Sequence, residues 1–301
     1  MSDNDIVVVG SINMDLVIKS KKIPNEGETI LGDDFSKFFG GKGANQVVAT
    51  RKLNSNSAFI GAVGEDNYGE ILTDNLNSQG IKTYIKKTNT SSGIANILVT
   101  EGGENRIILI PGANNELSQK FIKKNKEIIS KSEILLVQQE IPIKTVKKAI
   151  EIAYENDLTI ILDPAPVKKF NINLLNKIDY LLPNEYELNQ LLKLIFPKKN
   201  SNNIKTLLET GVKNIVVTKG KNGATLYNKN YKLNISGRGV NVLDTTGAGD
   251  AFSGAFAVGL LKNWEIKKVL QFAVYYSSLS VTKNGAQNSF YDAEDLEEFI
   301  L

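Results

Sequence analysis

The feature that most constrains this chain is a rhythm of short apolar runs separated by longer amphipathic stretches. IVVV (6–9), AFIGAV (58–63), ILLV (134–137), TIIL (159–162), YLL (180–182) and IVVT (215–218) read as buried strands. Between them, 43–53, 67–79, 118–130, 143–156 and 184–194 carry helical spacing. Strands that are apolar at successive residues must be covered on both faces, which is how a parallel sheet sits between helices. The expected fold is therefore α/β, a largely parallel sheet flanked by helices on both faces, with residues 1–301 as a single domain. Two stretches interrupt the rhythm. Residues 12–39 and 92–110, which hold turn signals such as IPNEGET, read as antiparallel strands of one small sheet standing off the main body. Ligands of α/β folds bind at the C-terminal ends of the strands, so this sheet is placed to serve as a lid there. Beyond residue 249 the pattern is mainly helical.

Composition narrows the chemistry. With 301 residues, 42% of them hydrophobic and 23% charged, the chain has enough apolar material for a large core. The 36 Lys plus Arg against 33 Asp plus Glu leave a net charge of only +3, too weak a field to argue for a nucleic-acid partner. The lysine clusters KKNK (123–126) and PKKNS (197–201) have no interleaved aromatic residues on which bases would stack. Cysteine and histidine are both absent, which excludes disulfides, thiolate nucleophiles, the usual zinc sites and an imidazole base. Catalysis has to rest on carboxylates, lysine, backbone dipoles and hard cations. The sequence enters a strand pattern at once, without a basic leader, and no apolar run reaches the ~18 residues a membrane span needs. A cytoplasmic protein without a membrane partner is expected.

Five motifs invite a functional reading, and each also has a structural one. In DTTGAGDAF (244–252), Gly247, Ala248 and Gly249 precede Asp250 and an apolar helix. Small residues there either allow close packing or leave backbone N–H groups bare at a helix N-terminus, where an anion binds. GGKGANQ (40–46) opens another helix; Lys42 is followed by Gly43, so it is not a Walker loop, and it reads as a strand-to-helix turn or as a ligand loop. In GSINMD (10–15), Asn13 and Asp15 follow a strand end, where polar groups face a crevice or simply form turns. In PNEYE (183–187), Asn184 and Glu187 have the spacing of a capping box or present ligand groups. TKGKNG (218–223) is a hairpin turn or a loop offering Thr218 and Gly220 to a nucleotide.

Together, in this order and spacing over essentially the whole chain, these motifs resemble the PfkB family of carbohydrate kinases. GSINMD, PNEGET (24–29), GGKGANQ, QQE (138–140), DPAP (163–166), PNEYE and KNGAQNS (283–289) are most similar to its ribose-phosphorylating members. The resemblance implies ATP-dependent phosphorylation of D-ribose at the 5-hydroxyl. Asp250 would be the general base and Gly247, Ala248 and Gly249 the anion hole. It places the sugar against Asn13, Asp15, Gly41, Lys42, Gly43, Asn45, Glu140 and Asp250. ATP would lie across Asn184, Thr218, Gly220, Gly223 and Gly249, with Mg²⁺ bridging its phosphates and Glu187 acting through water. A K⁺ ion would be held by Asp244, the carbonyls of Thr246, Ser280, Lys283 and Gly285, and Ser289; Asp244 otherwise reads as a turn residue. Val274 stands where some ribose-phosphorylating members carry a histidine beside the adenine. The resemblance also implies a homodimer in which two lids pair. A kinase for deoxyribose, fructose or a nucleoside is the alternative, and a binding protein without turnover is opposed by the intact Asp250 and GAG turn.

Overall fold

The computed structural model describes residues 4–102, 104–169, 171–197 and 203–296. The chain opens with β1 (Ile6–Val9), β2 (Asn13–Ser20), β3 (Asp34–Gly40), α1 (Lys42–Lys52), β4 (Ser57–Gly64), α2 (Asn67–Ser78), β5 (Lys82–Thr88), β6 (Gly93–Thr100) and β7 (Asn105–Ile110). It continues through α3 (Gln119–Lys124), α4 (Lys126–Ser130), β8 (Ile134–Gln138), α5 (Ile143–Glu155), β9 (Thr159–Asp163), β10 (Tyr180–Leu181), α6 (Glu185–Ile195) and α7 (Ile204–Leu208). It closes with β11 (Asn214–Thr218), β12 (Ala224–Asn228), β13 (Lys232–Ile235), α8 (Ala248–Leu261) and α9 (Ile266–Ser280).

Nine strands form the main sheet in the order β13-β12-β11-β10-β9-β8-β1-β4-β5. All neighbours from β11 to β5 are parallel, and only the pairs β11–β12 and β12–β13 are antiparallel, so β12 alone is reversed. Side chains alternate across the sheet, so Ile6 and Val8 enter the core under α1, α2, α8 and α9, while Val7 and Val9 enter the one under α3 to α7. The two-sided burial inferred from the apolar runs is thus physical: each strand residue has a core to enter. Two edge strands escaped that reading. β5 (KTYIKKT) and β13 (KLNI) face neighbours on one side only, and their lysines keep exposed edges soluble.

The small sheet has four strands in the order β3-β2-β6-β7. Its pairing corrects the expectation of a purely antiparallel sheet: β2–β3 and β6–β7 are antiparallel, but β2 and β6, which join the two halves, run parallel. The chain leaves the main sheet after β1 and again after β5, always in the same direction, so the strands that follow share a direction. The expected helix 118–130 is also two helices, because Asn125 leaves helical geometry at ψ 22° and its side chain caps back onto the Phe121 carbonyl at 2.9 Å. Among the described residues no helix is long and apolar enough to cross a membrane.

Candidate active site

Two helix starts meet where the main sheet and the small sheet join. Gly41 precedes α1 with φ 87°, and a Cβ there would lie 2.6 Å from Ile12 Cα. At Gly43 a Cβ would come within 2.7 Å of the Gly10 backbone, and the Ala44 N–H donates to the Ser11 carbonyl at 2.9 Å. Glycine lets α1 press its first turn against the end of β1. Gly247, at φ 77°, precedes α8, and a Cβ there would meet Ala286 Cβ at 2.8 Å. At Gly249 a Cβ would meet nothing within 4 Å. The two glycines of the GAG turn therefore differ: Gly247 is needed for conformation and packing, whereas Gly249 keeps a face open. The Ala248 N–H is engaged by the Thr245 carbonyl at 3.2 Å.

Asp250, one residue into this turn, is buried, and each oxygen accepts from an amide. Asn45 Nδ2 donates to Oδ2 at 2.9 Å and Gln46 Nε2 to Oδ1 at 3.0 Å. Gln46 Nε2 also donates to Asp163 Oδ2 at 2.8 Å, and Gln138 Nε2 donates to Gln46 Oε1. Burial pushes Asp250 above the usual carboxylate range against the opposing pull of Lys42, Asn45 and Gln46. Asp163 rises to about 7, through burial that outweighs the Lys42 ammonium, with Glu187 and Asp250 adding repulsion. Asp15 is likewise raised to about 7, by burial first and then by Glu140 and Asp250. Burial alone would lower Lys42; the carboxylates of Asp250, Asp163, Glu140 and Glu187 outweigh it and hold the ammonium above the ordinary lysine range. The centre is one firm cation among carboxylates.

The remaining sugar-side candidates gather around the same helix start. Asn13 Oδ1 accepts from Asn114 Nδ2 at 2.7 Å, and Asn114 pairs in both directions with the Ile12 backbone at 3.0 Å. Glu140 Oε2 accepts from Ser11 Oγ at 2.5 Å and from the Lys42 N–H at 3.3 Å. Sequence reading had no role for Asn114, Ser11, Gln46, Gln138 or Asp163. Gln46, Gln138 and Asp163 sit inside quoted motifs, and that proximity was the available signal; Asn114 lies in an unmarked turn.

Two clefts share the α8 start. One, of about 220 Å³, is lined by Lys42, Asp163, Asn184, Glu187, Gly247 and Asp250. Its neighbour, of about 410 Å³, is lined by Gly220, Gly223, Phe252, Val274 and Val281 among others. Thr218, Ala248 and Gly249 face both, so the helix start forms their common wall. Asn184 and Glu187 do form a reciprocal capping box, at 2.8 and 2.9 Å, while also lining the smaller cleft. Thr218 and Ala224 close the hairpin at TKGKNG; a Cβ at Gly220 would meet open space, whereas one at Gly223 would strike the Gly237 and Ser236 backbone. Val274 is part of an apolar wall.

Asp244 takes its turn role as well. Its Oδ1 accepts from the Thr246 N–H and hydroxyl at 2.9 and 2.6 Å, and its Oδ2 accepts from the Gly285 N–H at 2.8 Å. Burial raises this half-buried carboxyl, but those three donors win and hold it below the usual range. Ser289 Oγ donates to the Ala286 carbonyl at 2.7 Å, Ser280 Oγ to the Ser277 carbonyl at 2.9 Å, and the Lys283 ammonium sits 3.5 Å over the Tyr291 ring. The C-terminal loop is thereby tied to the turn that presents Asp250.

A buried carboxylate beside an open helix N-terminus, a lysine lining the same cleft and an apolar pocket next to it suit a phosphotransferase acting on small molecules. The chain belongs to the pfkB family carbohydrate kinases, whose sequence pattern matches residues 3–293. It is 37% identical to the ribokinase of Bacillus subtilis (strain 168) over 298 residues, 98% of this chain and 99% of that one. It is 36% identical to the deoxyribokinase of Salmonella typhi over 303 residues, 98% of each chain. The structure of Arabidopsis thaliana ribokinase complexed with ribose and ATP superimposes with a TM-score of 0.88 at 30% identity, covering 99% of this chain and 98% of that one.

Proposed function

We propose that this protein transfers the γ-phosphoryl group of ATP to the 5-hydroxyl of D-ribose, giving ribose 5-phosphate and ADP. The observation that carries the reading is Asp250: buried, held through both oxygens by amides, and one residue beyond the glycine that opens the helix start to both clefts. Asp250 accepts the proton of the 5-hydroxyl as its oxygen attacks the γ-phosphorus, and releases that proton after ADP departs. Burial makes the carboxylate a better base, and the Lys42 charge opposes that rise by favouring the ionised form. Charge that builds on the moving phosphoryl group is met by the amides of Gly247, Ala248 and Gly249 and by the dipole of α8, with Ala248 sharing its hydrogen with Thr245. Asn13, Asp15, Asn45, Glu140 and the first turn of α1 at Gly41, Lys42 and Gly43 hold the sugar, whose adjacent hydroxyls suit paired carboxylate and amide contacts. Asn184, Thr218, Gly220 and Gly223 line the nucleotide side, and Val274 offers adenine an apolar surface.

Two cations complete the proposal. Among the described residues no group of three or more acidic side chains is arranged to hold a metal alone. Mg²⁺ would be carried by the ATP phosphates and water, with Glu187 reached through water. When bound, it would supply charge neutralisation to the phosphates. For K⁺, Asp244 offers the charged ligand, and Ser280, the last residue of α9, offers a helix-end carbonyl at the negative end of the dipole. Thr246, Lys283, Gly285 and Ser289 complete the set, with Gly285 at φ 80° turning the loop. The ion would stiffen the turn rather than touch substrate.

A homodimer through the small sheet belongs to the same proposal. Both of its edge strands expose large apolar side chains, Ile107 (58%) and Ile108 (68%) on β7 and Phe35 (54%) on β3, which an interface would cover. A cytoplasmic setting, where ATP is available as the donor, belongs to the same proposal. The deciding assay is ADP release with ribose, 2-deoxyribose, fructose and no sugar. Ribose should show the highest kcat/KM, since a site built for a hydroxyl leaves polar groups unpaired when it is missing. The near-equal identity to a deoxyribokinase makes deoxyribose the competitor, and a higher kcat/KM for it would replace the assigned sugar.

A further inference from the structure

Asp250 receives its two hydrogen bonds from amides that are themselves oriented by amides. On one side Asn75 Nδ2 donates to Gln287 Oε1 at 2.9 Å, Gln287 Nε2 donates to Asn45 Oδ1 at 3.1 Å, and Asn45 Nδ2 donates to Asp250 Oδ2 at 2.9 Å. On the other side Gln138 Nε2 donates to Gln46 Oε1, and Gln46 donates to Asp250 Oδ1 at 3.0 Å. A side-chain amide has a donor end and an acceptor end of nearly equal shape, so nothing in its own sterics decides which end faces a neighbour. Here Gln287, Asn45 and Gln46 are each fixed by the amide behind them. Every donor points inward, so the dipoles add and polarise one another at the carboxylate.

We propose that Gln287 is a positioning residue for phosphoryl transfer: by donating to Asn45 it forces the donor end of Asn45 toward Asp250 and fixes the carboxylate in the plane from which it meets the acceptor hydroxyl. The inference rests on the reading of Asp250 as the base. Gln287 belongs to the short turn Gln287–Ser289, in the same loop whose Gly285 N–H is tied to Asp244. The relay therefore links the C-terminal loop and the surface of α2 to the reacting centre without either touching substrate. Gln287 is buried, and its partner Asn75 lies near the rim, where the change of a single atom does not threaten folding.

The test compares two replacements with opposite meanings. Gln287→Glu keeps the shape but has no donor for Asn45 Oδ1; Asn45 then turns its donor end away and sets its oxygen against the Asp250 carboxylate. Gln287→Leu removes the polarity and leaves Asn45 without a preferred sense. Steady-state kinetics with ribose and ATP should show kcat at least tenfold lower for Gln287→Glu and a smaller loss for Gln287→Leu, with KM for ATP within twofold of wild type. Should either protein fail to fold, Asn75→Asp reads the same relay from the rim, with an expected fall of about threefold in kcat. A kcat for Gln287→Glu within twofold of wild type, a larger loss for Gln287→Leu than for Gln287→Glu, or an unchanged Asn75→Asp would each show that Gln287 only fills space and would overturn the relay. Asp250→Asn run alongside separates the two levels. If it stays active, the base assignment fails and takes the relay with it; if it is dead while Gln287→Glu is normal, the relay alone fails.

Discussion

Helices α1 and α8 both begin at a glycine with positive φ, 87° at Gly41 and 77° at Gly247, and neither has a side-chain cap. From there they diverge. In α1 the first turn is closed by protein: the N–H groups of Lys42, Gly43 and Ala44 turn to Glu140, the Ser11 hydroxyl and the Ser11 carbonyl, and Gly43 lies against the Gly10 backbone. In α8 the glycine after Ala248 faces open space and two clefts. A glycine-led helix start is thus only a capacity for anion binding. Whether it is used depends on what the tertiary structure places in front of it, and at α1 that is a carboxylate of the protein itself.

The largest effect is expected at the residue the open start presents. Asp250→Asn should lower kcat by about 10²–10⁴, the usual worth of a positioned base, while titration calorimetry still detects ATP binding. Turnover within tenfold of wild type would sever the link between the open helix and the chemistry. Next comes a paired substitution that sets the two starts against each other. Gly249→Val points its side chain into the cleft and should cut kcat by about tenfold or more, a barrier increase of about 1.4 kcal/mol, with an unchanged melting temperature. Gly43→Ala meets backbone 2.7 Å away and should cost about 1–3 kcal/mol of stability, as overpacking does. Equal losses of stability in both would erase the distinction.

A smaller effect concerns how firmly the α8 turn is held. Replacing tetramethylammonium by K⁺ at constant ionic strength should raise activity several-fold, and Asp244→Ala should abolish most of that response; identical rates in the two buffers would return Asp244 to its turn role. The smallest effect lies on the closed side. Without sugar, Asp15 keeps its proton to about pH 7 in the folded protein, whereas its ordinary value is 3.8. The folded state therefore binds the extra proton between those values, and the group's contribution to stability falls as pH rises from about 4 to about 7. Asp15→Asn should accordingly raise the melting temperature above pH 7 and lose that advantage near pH 4. A difference independent of pH would mean that Asp15 is not buried as a neutral acid.

The sequence by itself determined the six inner strands β1, β4, β8, β9, β10 and β11, most of the helices between them and the short segments that reach the candidate site. Apolar periodicity and turn chemistry are local, and they act within a few residues of IVVV, GGKGANQ or DTTGAGD. It also carried the capping box of Asn184 and Glu187, which spans only three positions. The parallel register of β2 on β6 was not local, since it follows from where two exits from the main sheet point. Nor was the surround of Asp250, where Asn45 and Gln46 reach a residue 205 and 204 positions away, Gln46 meets Asp163 across 117 positions, and Gln287 meets Asn45 across 242. Whether a glycine faces backbone or open space, and which end of an amide faces a carboxylate, is set by partners that only the folded chain brings together.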